Sequence, residues 1–154
     1  MKKKKALVLL VVASLLALVI SITLYWCYFS DYSNVLKINW GFSLPQESCY
    51  LNIYSQSSGA SFTGDGIRYH VFSCENIDSI DKMFVWQLTE QETIYHSSYS
   101  TAVDEWLDKI NVPPRERPDY GDCSYWYQSQ DDNSEIIIFW NIDQGKLYVV
   151  ESFL

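Results

Sequence analysis

The feature that most constrains this chain is its amino terminus, where four lysines precede a long uncharged run. Lys2 to Lys5 are followed by residues 6–29, which contain no acidic or basic side chain. At about 1.5 Å of rise per residue, these 24 residues would make a helix of roughly 36 Å, longer than the roughly 30 Å hydrocarbon core of a bilayer. Because lipid offers no partners to backbone polar groups, a helix is the expected form. We therefore predict an N-terminal transmembrane helix, which contacts the membrane through residues 6–29.

Two flanking features give this helix a direction. The lysines mark the cytoplasmic end, and the aromatic-rich residues 25–29 suit the outer headgroup region. The prediction is a single-pass protein of the cell membrane, with a cytoplasmic N-terminus and an extracellular C-terminal domain. Residues 1–30 are then the lysines and the anchor, and residues 31–154 are the extracytoplasmic domain. A cleaved signal peptide and lipidation at Cys27 are alternatives. Both require small residues next to the processing site, and bulky aromatic residues stand there in this chain.

The charge of the domain limits what it binds. Seven basic residues and all 19 acidic residues follow residue 30, which leaves a net charge of −12 with the histidines neutral. Such a charge disfavours nucleic acid and tight docking on anionic lipid. The expected partner is therefore an unknown envelope protein or a small ligand, and no nucleic acid is expected.

The pattern of apolar residues after the anchor predicts an α+β fold. Residues 49–54 and 67–74 resemble half-buried strands and are expected to form a hairpin. Residues 135–142 are apolar on both faces, which favours a central strand, and further strands are expected at 123–128 and 146–153. The prediction is an antiparallel sheet of about five strands with one main packed helix.

The main helix is indicated by four apolar residues that share one helical face: Val103, Trp106, Leu107 and Ile110. Trp106 is expected to dock this helix on the sheet. Thr101 is predicted to cap the start of the helix, and Pro113 to follow its end. Two shorter segments are less defined: residues 75–84 suit a short helix, and residues 35–40 suit a strand or a short helix.

Two turns are predicted near the carboxyl terminus. Gly145 is expected to take a positive φ angle in the last hairpin turn. Oxygen atoms of the kind that calcium prefers are offered by Asp131, Asp132, Asn133 and Glu135, but their spacing is not that of an EF-hand loop, so a solvated turn is the interpretation.

Motifs of common enzymes are absent from the sequence. His70 and His96 lie in no zinc-binding spacing, and neither a Gly-x-Ser-x-Gly elbow nor a phosphate-binding P-loop is present. We therefore predict no metal, no cofactor and no catalytic residue of a known type.

Three cysteines lie in the predicted domain, so at most one internal disulfide can form among them. An oxidising extracytoplasmic compartment permits such a bond. Their spacing does not choose among the three pairs of Cys49, Cys74 and Cys123. The pair Cys49 and Cys74 is the disulfide to test first, because both residues border predicted strands. The alternative is that the cysteines are buried, small apolar residues.

One short motif stands apart, Phe62-Thr63-Gly64-Asp65-Gly66, just before the predicted second strand. Asp65 suits a hydrogen bond to its own turn, and the glycines permit unusual φ angles or close approach of a ligand. In this motif and its terminal strands, the chain resembles a family of small, uncharacterised membrane-anchored or secreted proteins of Gram-positive bacteria. The resemblance implies an extracytoplasmic domain and no particular activity, and Thr63 stands where a histidine is expected. The candidate binding residues are Gly64, Asp65, Gly66 and Arg68.

Two functions are consistent with these patterns. The first is a binding or interaction module at the cell envelope, which the anchor, the absence of a catalytic motif and the 12 tyrosines and six tryptophans favour. The alternative is a hydrolase-type enzyme with an unrecognised site near Asp65 and His70, beside Arg68. We expect the binding module, and hence a protein that is not an enzyme.

Overall fold

The computed structural model describes residues 12–25, 31–45, 50–59, 66–88 and 94–153. Contacts within the chain divide it into two compact units, Met1–Leu44 and Pro45–Leu154. The predicted boundary between residues 30 and 31 separates the residues that are expected to contact the membrane from those that follow it. Because the division into compact units does not test membrane contact, that boundary stays a prediction.

The first unit begins with a helix, α1, which is described over residues 12–25. Its apolar side chains are exposed along the whole described length. Among the described residues, no helix is both long and apolar enough to cross a membrane. The remaining residues of the predicted anchor, 6–11 and 26–29, lie outside the described ranges.

A second helix, α2 (Tyr32–Trp40), follows in the same unit. Asp31 caps its start, because the Oδ1 atom accepts a hydrogen bond from the Ser33 amide at 3.0 Å. Its end is set by Gly41, which has a φ of +82° and donates its N–H to the Lys37 carbonyl. Of the two predictions for residues 35–40, the short helix is therefore the correct one.

The second unit is an α+β fold built on an antiparallel sheet, as predicted. Its elements in chain order are β1 (Leu51–Ser57), β2 (Gly66–Ser73), α3 (Ile77–Asp81), β3 (Gln87–Leu88), α4 (Ile94–Lys109), β4 (Ser124–Ser129), β5 (Glu135–Asn141) and β6 (Lys146–Phe153). The strand order is β1-β2-β6-β5-β4-β3, and all neighbours are antiparallel. Five strands have six to eight residues, and β3 adds a two-residue edge. The predicted β1–β2 hairpin pairing and the short helix within residues 75–84 are confirmed.

The centre of the sheet is the hairpin of β5 and β6. Ile138 lies opposite Val149 in its register, and residues 136–140 are buried on both faces of the sheet. Gly145 closes the turn with a φ of +59° and donates its N–H to the Ile142 carbonyl at 3.3 Å. The predictions of a central strand and of a positive φ at Gly145 are both confirmed.

Helix α4 packs its apolar face on the sheet. Val103 and Leu107 are fully buried, and Trp106 is half-buried against the same core. The sheet supplies much of this core through alternate residues of β2, β5 and β6: Ile67, Tyr69, Val71, Ile137, Phe139, Tyr148 and Val150. The docking role predicted for Trp106 is confirmed, although the aliphatic Val103 and Leu107 are the more deeply buried anchors.

The prediction that Thr101 caps this helix is wrong. Helix α4 begins at Ile94, so Thr101 lies inside it. Tyr99 extends the apolar stripe by one turn before Val103 and packs against the core, and this tertiary contact outweighs the local capping signal. At the other end, α4 stops at Lys109 and Asn111 takes a φ of +58°, so Pro113 follows the helix end as predicted.

The loop that follows α4 is fastened to the helix by Arg117. Its Nη2 atom donates to the Asp108 carboxylate at 2.6 Å and to the Val112 carbonyl at 2.8 Å, and its Nη1 atom lies 3.5 Å from Asp104 Oδ1. The Tyr120 hydroxyl donates to the same Asp104 oxygen at 2.8 Å. These contacts hold the charged loop against the end of α4, which makes it a structural element.

Candidate functional site

The predicted site lies at the β1–β2 hairpin, where Gly66 begins β2. Its φ of +149° disfavours any residue with a side chain, and a Cβ atom built there would come too close to Ser58 Oγ. That hydroxyl is occupied, because Ser58 Oγ accepts the Ile67 N–H at 3.0 Å. Gly66 is therefore required by the backbone of the turn. Gly64 and Asp65 lie outside the described residues, so their binding role stays a prediction.

Strand β2 divides its side chains between two faces of the sheet. Ile67, Tyr69 and Val71 enter the core beneath α4, so Arg68, His70 and Phe72 lie on the opposite face. The structure thus brings the predicted residues Arg68 and His70 together on one face. We call this the polar face of β2.

Arg68 is positioned by an aromatic ring of β6. Its Cζ atom lies 4.5 Å from the centroid of the Phe153 ring, which is cation–π geometry. The side chain is half-buried and therefore held close to the sheet.

A residue that the sequence analysis missed, Glu151, lies directly opposite Arg68 in the register of β2 and β6. Directly opposed residues share a face and have Cβ atoms about 4.5–5.5 Å apart. Glu151 is 0% exposed, which is rare for a carboxylate. The signal available in the sequence was a single acidic residue inside the strand predicted at 146–153.

His70 is held by Asn52 of β1, whose Nδ2 atom lies 3.1 Å from His70 Nδ1. Because an amide nitrogen only donates, Nδ1 is assigned as the acceptor and the imidazole proton to Nε2. The ring also stacks on Phe72, with centroids 5.9 Å apart. Burial, reinforced by the charge of Arg68, lowers the pKa of His70 to about 4, so the ring is neutral at pH 7.

Strand β1 forms one edge of the sheet and is unusually bare. It pairs with β2 on one side, and the outer side pairs with no strand among the described residues. Six of its seven residues are exposed, including Leu51 at 66% and Ile53 at 46%. The strand contains no charged residue and no proline. Its register shifts between Asn52 and Tyr54, which places a bulge at Ile53.

The predicted disulfide between Cys49 and Cys74 is not formed in the structure. Cys74 and Cys123 are both buried thiols that are in no disulfide, and Cys49 lies outside the described residues. The register offers a reason: Leu51 lies opposite Ser73, so one further step along both strands would bring Tyr50, not Cys49, level with Cys74. Burial raises the pKa of Cys74 to about 11 and that of Cys123 to about 12. Both thiols are therefore protonated at neutral pH.

The acidic turn between β4 and β5 has a structural role. Asp132 Oδ1 accepts a hydrogen bond from the Ser134 amide at 2.9 Å, and Asn133 takes a φ of +65°. Hydrogen bonds from the backbone and the side chain of Ser134 lower the pKa of Asp132. Across the described parts of the chain, no group of three or more histidine, cysteine, aspartate or glutamate side chains is placed to hold a metal ion.

The site therefore combines a polar face with an adjoining edge. Arg68 supplies a cation, His70 a neutral imidazole and Glu151 a buried carboxylate, while β1 supplies an exposed backbone edge beside them. Such an arrangement suits recognition of a chain segment. The hydrolase alternative depends on Asp65, outside the described residues, and stays a prediction.

Comparison of the chain with protein-family models, with curated proteins and with solved structures found no match. The resemblance to the Gram-positive membrane-anchored or secreted proteins therefore stays a prediction.

Proposed function

We propose that this chain is a membrane-anchored binding module, which holds an extended segment of a partner protein against strand β1 at the outer face of the cell membrane. The observation that carries this proposal is the exposed, uncharged edge of β1. Proteins usually protect such edges with charged side chains, prolines or bulges, because unpaired backbone groups recruit other strands. Here the bulge at Ile53 is the only one of these three devices that β1 carries.

Strand addition explains how this edge binds. A segment that aligns with β1 forms backbone hydrogen bonds, which supply affinity, while side-chain contacts supply specificity. Leu51 and Ile53 provide exposed apolar contacts on the edge itself. The net charge of −12 after residue 30 favours a partner segment with basic flanks, which the domain attracts over a distance.

The membrane part of the proposal is supported by the amino terminus. Residues 6–29 carry no charge, and four lysines precede them. The described part of α1 exposes apolar side chains on all sides, which suits an apolar environment. Reporter fusions at the carboxyl terminus test the orientation: an enzyme that is active only outside the cytoplasm should work there, and a fusion active only in the cytoplasm would reverse the proposed topology.

The binding proposal is tested by site-specific photo-crosslinking of the full-length chain in its own membranes. A photoreactive residue at Gln56 in β1 should capture a partner, and Ile53→Lys should abolish the adduct because it charges the edge. The matched control is Ile142→Lys, since Ile142 is 47% exposed, like Ile53, but lies in the β5–β6 turn. An adduct that survives Ile53→Lys, or that Ile142→Lys removes equally, would contradict binding at β1.

A further inference from the structure

The junction of β1 with the rest of the sheet contains a hydrogen bond that depends on protonation. Asn52 Nδ2 and His70 Nδ1 are 3.1 Å apart, and Asn52 stands immediately before the bulge at Ile53. After the bulge, Ser55 is the residue of β1 that lies opposite His70. The bond therefore attaches β1 at the point where its register with β2 is interrupted.

This bond requires a neutral His70. The Asn52 amide nitrogen only donates, and Nδ1 accepts only while it carries no proton. A protonated Nδ1 becomes a donor and faces another donor. Protonation thus replaces an attractive contact between β1 and β2 with a repulsive one.

Charged groups on the neighbouring strands decide how well a protonated His70 is tolerated. Arg68 lies two residues away on the same face of β2 and opposes a second positive charge. On β6, Val149 is directly opposite His70, and Glu151 is diagonal to it but directly opposite Arg68. The described part of β1 contributes no charge. Burial and Arg68 outweigh the diagonal carboxylate, which agrees with a pKa of about 4 for His70.

We propose that the Asn52–His70 pair is an acid-sensitive latch, which holds β1 in the sheet while His70 is neutral and releases it when His70 takes up a proton. β1 suits such a release, because it is an edge strand whose side chains are mostly exposed. Its detachment frees Tyr54, the one residue of β1 that is not exposed, from the core and leaves β5 and β6 paired, so it is a local opening.

The size of the effect follows from the two protonation states. In the detached state, His70 loses the cover of β1 while Arg68 stays beside it, so the pKa of the imidazole rises at most to its ordinary value of about 6.5 and the ring gains a proton that the latched state resists. The opening equilibrium of β1 is therefore expected to rise as pH falls from 6.5, by up to about 100-fold at pH 4.5. If the proposed function holds, on which this one consequence rests, the partner dissociates from β1 in the same pH range.

The latch is tested without a partner, by amide hydrogen exchange of the full-length chain in lipid nanodiscs. After correction for intrinsic exchange rates, the amides of β1 should lose protection between pH 7 and pH 4.5, while those of β5 keep it. His70→Gln supplies an amide oxygen as acceptor and cannot titrate, so its β1 should stay protected at pH 4.5. Equal loss of protection in His70→Gln, or no loss in the natural chain because the Asn52 amide rotates, would overturn the latch.

A second variant tests the same bond in the opposite direction. Asn52→Asp places a carboxylate against Nδ1, which favours protonated His70 and should keep β1 protected at pH 5. Should Asn52→Asp lose protection as the natural chain does, the latch is wrong even if His70→Gln fails to fold. Exchange and crosslinking separate the proposals: pH-dependent exchange without a crosslinked partner removes only the binding function, and crosslinking at pH 7 with pH-independent exchange removes only the latch.

Discussion

Arg68 and Glu151 stand directly opposite each other on β2 and β6, and Glu151 is wholly shielded from solvent. A buried carboxylate is costly unless charged or hydrogen-bonding groups surround it. Arg68 supplies a positive charge at the adjacent position and is itself held over the Phe153 ring. The register of β2 with β6 thus places a cation and a buried carboxylate at opposed positions of two strands.

The first prediction concerns this pairing. Arg68→Met should lower the free energy of unfolding by on the order of 1 kcal/mol, because it removes the cation–π contact with Phe153 and a positive charge at the strand position opposite the buried Glu151. Adding Glu151→Gln should recover part of the loss, since the residue opposite position 68 then carries no charge. Urea unfolding measures both variants. Arg115→Met is the control: Arg115 is exposed and pairs with Glu116 at the surface, so its loss should change stability by less than about 0.5 kcal/mol. Strictly additive effects of Arg68→Met and Glu151→Gln would argue against coupling.

The second prediction concerns the pH dependence of global stability. His70 has a pKa of about 4 in the folded chain and about 6.5 when unfolded, so the unfolded chain takes up a proton first as pH falls. Stability should therefore decrease from pH 6.5 towards pH 4, by at most about 3 kcal/mol from this group, and the contribution should be flat above pH 6.5. Comparing denaturant unfolding of the natural chain and His70→Gln isolates it. Identical pH profiles would show that His70 is not buried as described.

The third prediction concerns the turn glycine. Gly66→Ala should cost about 1–3 kcal/mol, because its φ of +149° and the nearby Ser58 hydroxyl both oppose a side chain. Ser58→Ala by itself removes the acceptor of the Ile67 N–H, so Gly66→Ala is also measured in that background, where it should cost less because only the conformational part of its penalty remains. Gly121→Ala is the matched control, since the nearest atom would be an ordinary 3.6 Å contact with Asp119. Thermal unfolding compares these variants with the natural chain. Equal effects of Gly66→Ala and Gly121→Ala would contradict a backbone conformation at position 66 that requires glycine.

The fourth prediction concerns the two buried thiols. Burial raises the pKa of Cys74 to about 11 and that of Cys123 to about 12, so the reactive thiolate is a minor species at pH 8. Iodoacetamide should therefore modify both cysteines only after the chain is unfolded. Mass spectrometry of peptides from the folded and the denatured chain measures the difference. A Cys49–Cys74 disulfide peptide under non-reducing conditions would contradict a free Cys74.

Local patterns of the sequence were sufficient for several elements. The alternation in β2 predicted a strand, because a period of two reports which side chains a strand buries on one face. The uninterrupted apolar run of β5 predicted a strand that is buried on both faces. Gly145 likewise predicted a turn with a positive φ angle, which the structure has. The start of α4 was not predictable in this way. Its first turns depend on contacts such as that of Tyr99 with the core, which outweigh the capping signal at Thr101.

The amino-acid sequence by itself determined the uncharged run of residues 6–29, the acidic character of the rest of the chain, the strands and the turn at Gly145, because each depends on neighbours along the chain. Tertiary structure alone decided that β2 pairs with β6, and so that Arg68 lies opposite Glu151. It also decided that β1 is left at the edge, and that Asn52 reaches His70. The physical reason is that strand order brings together residues that are far apart in sequence. Burial likewise depends on the packing of distant residues, and burial is what keeps His70 neutral.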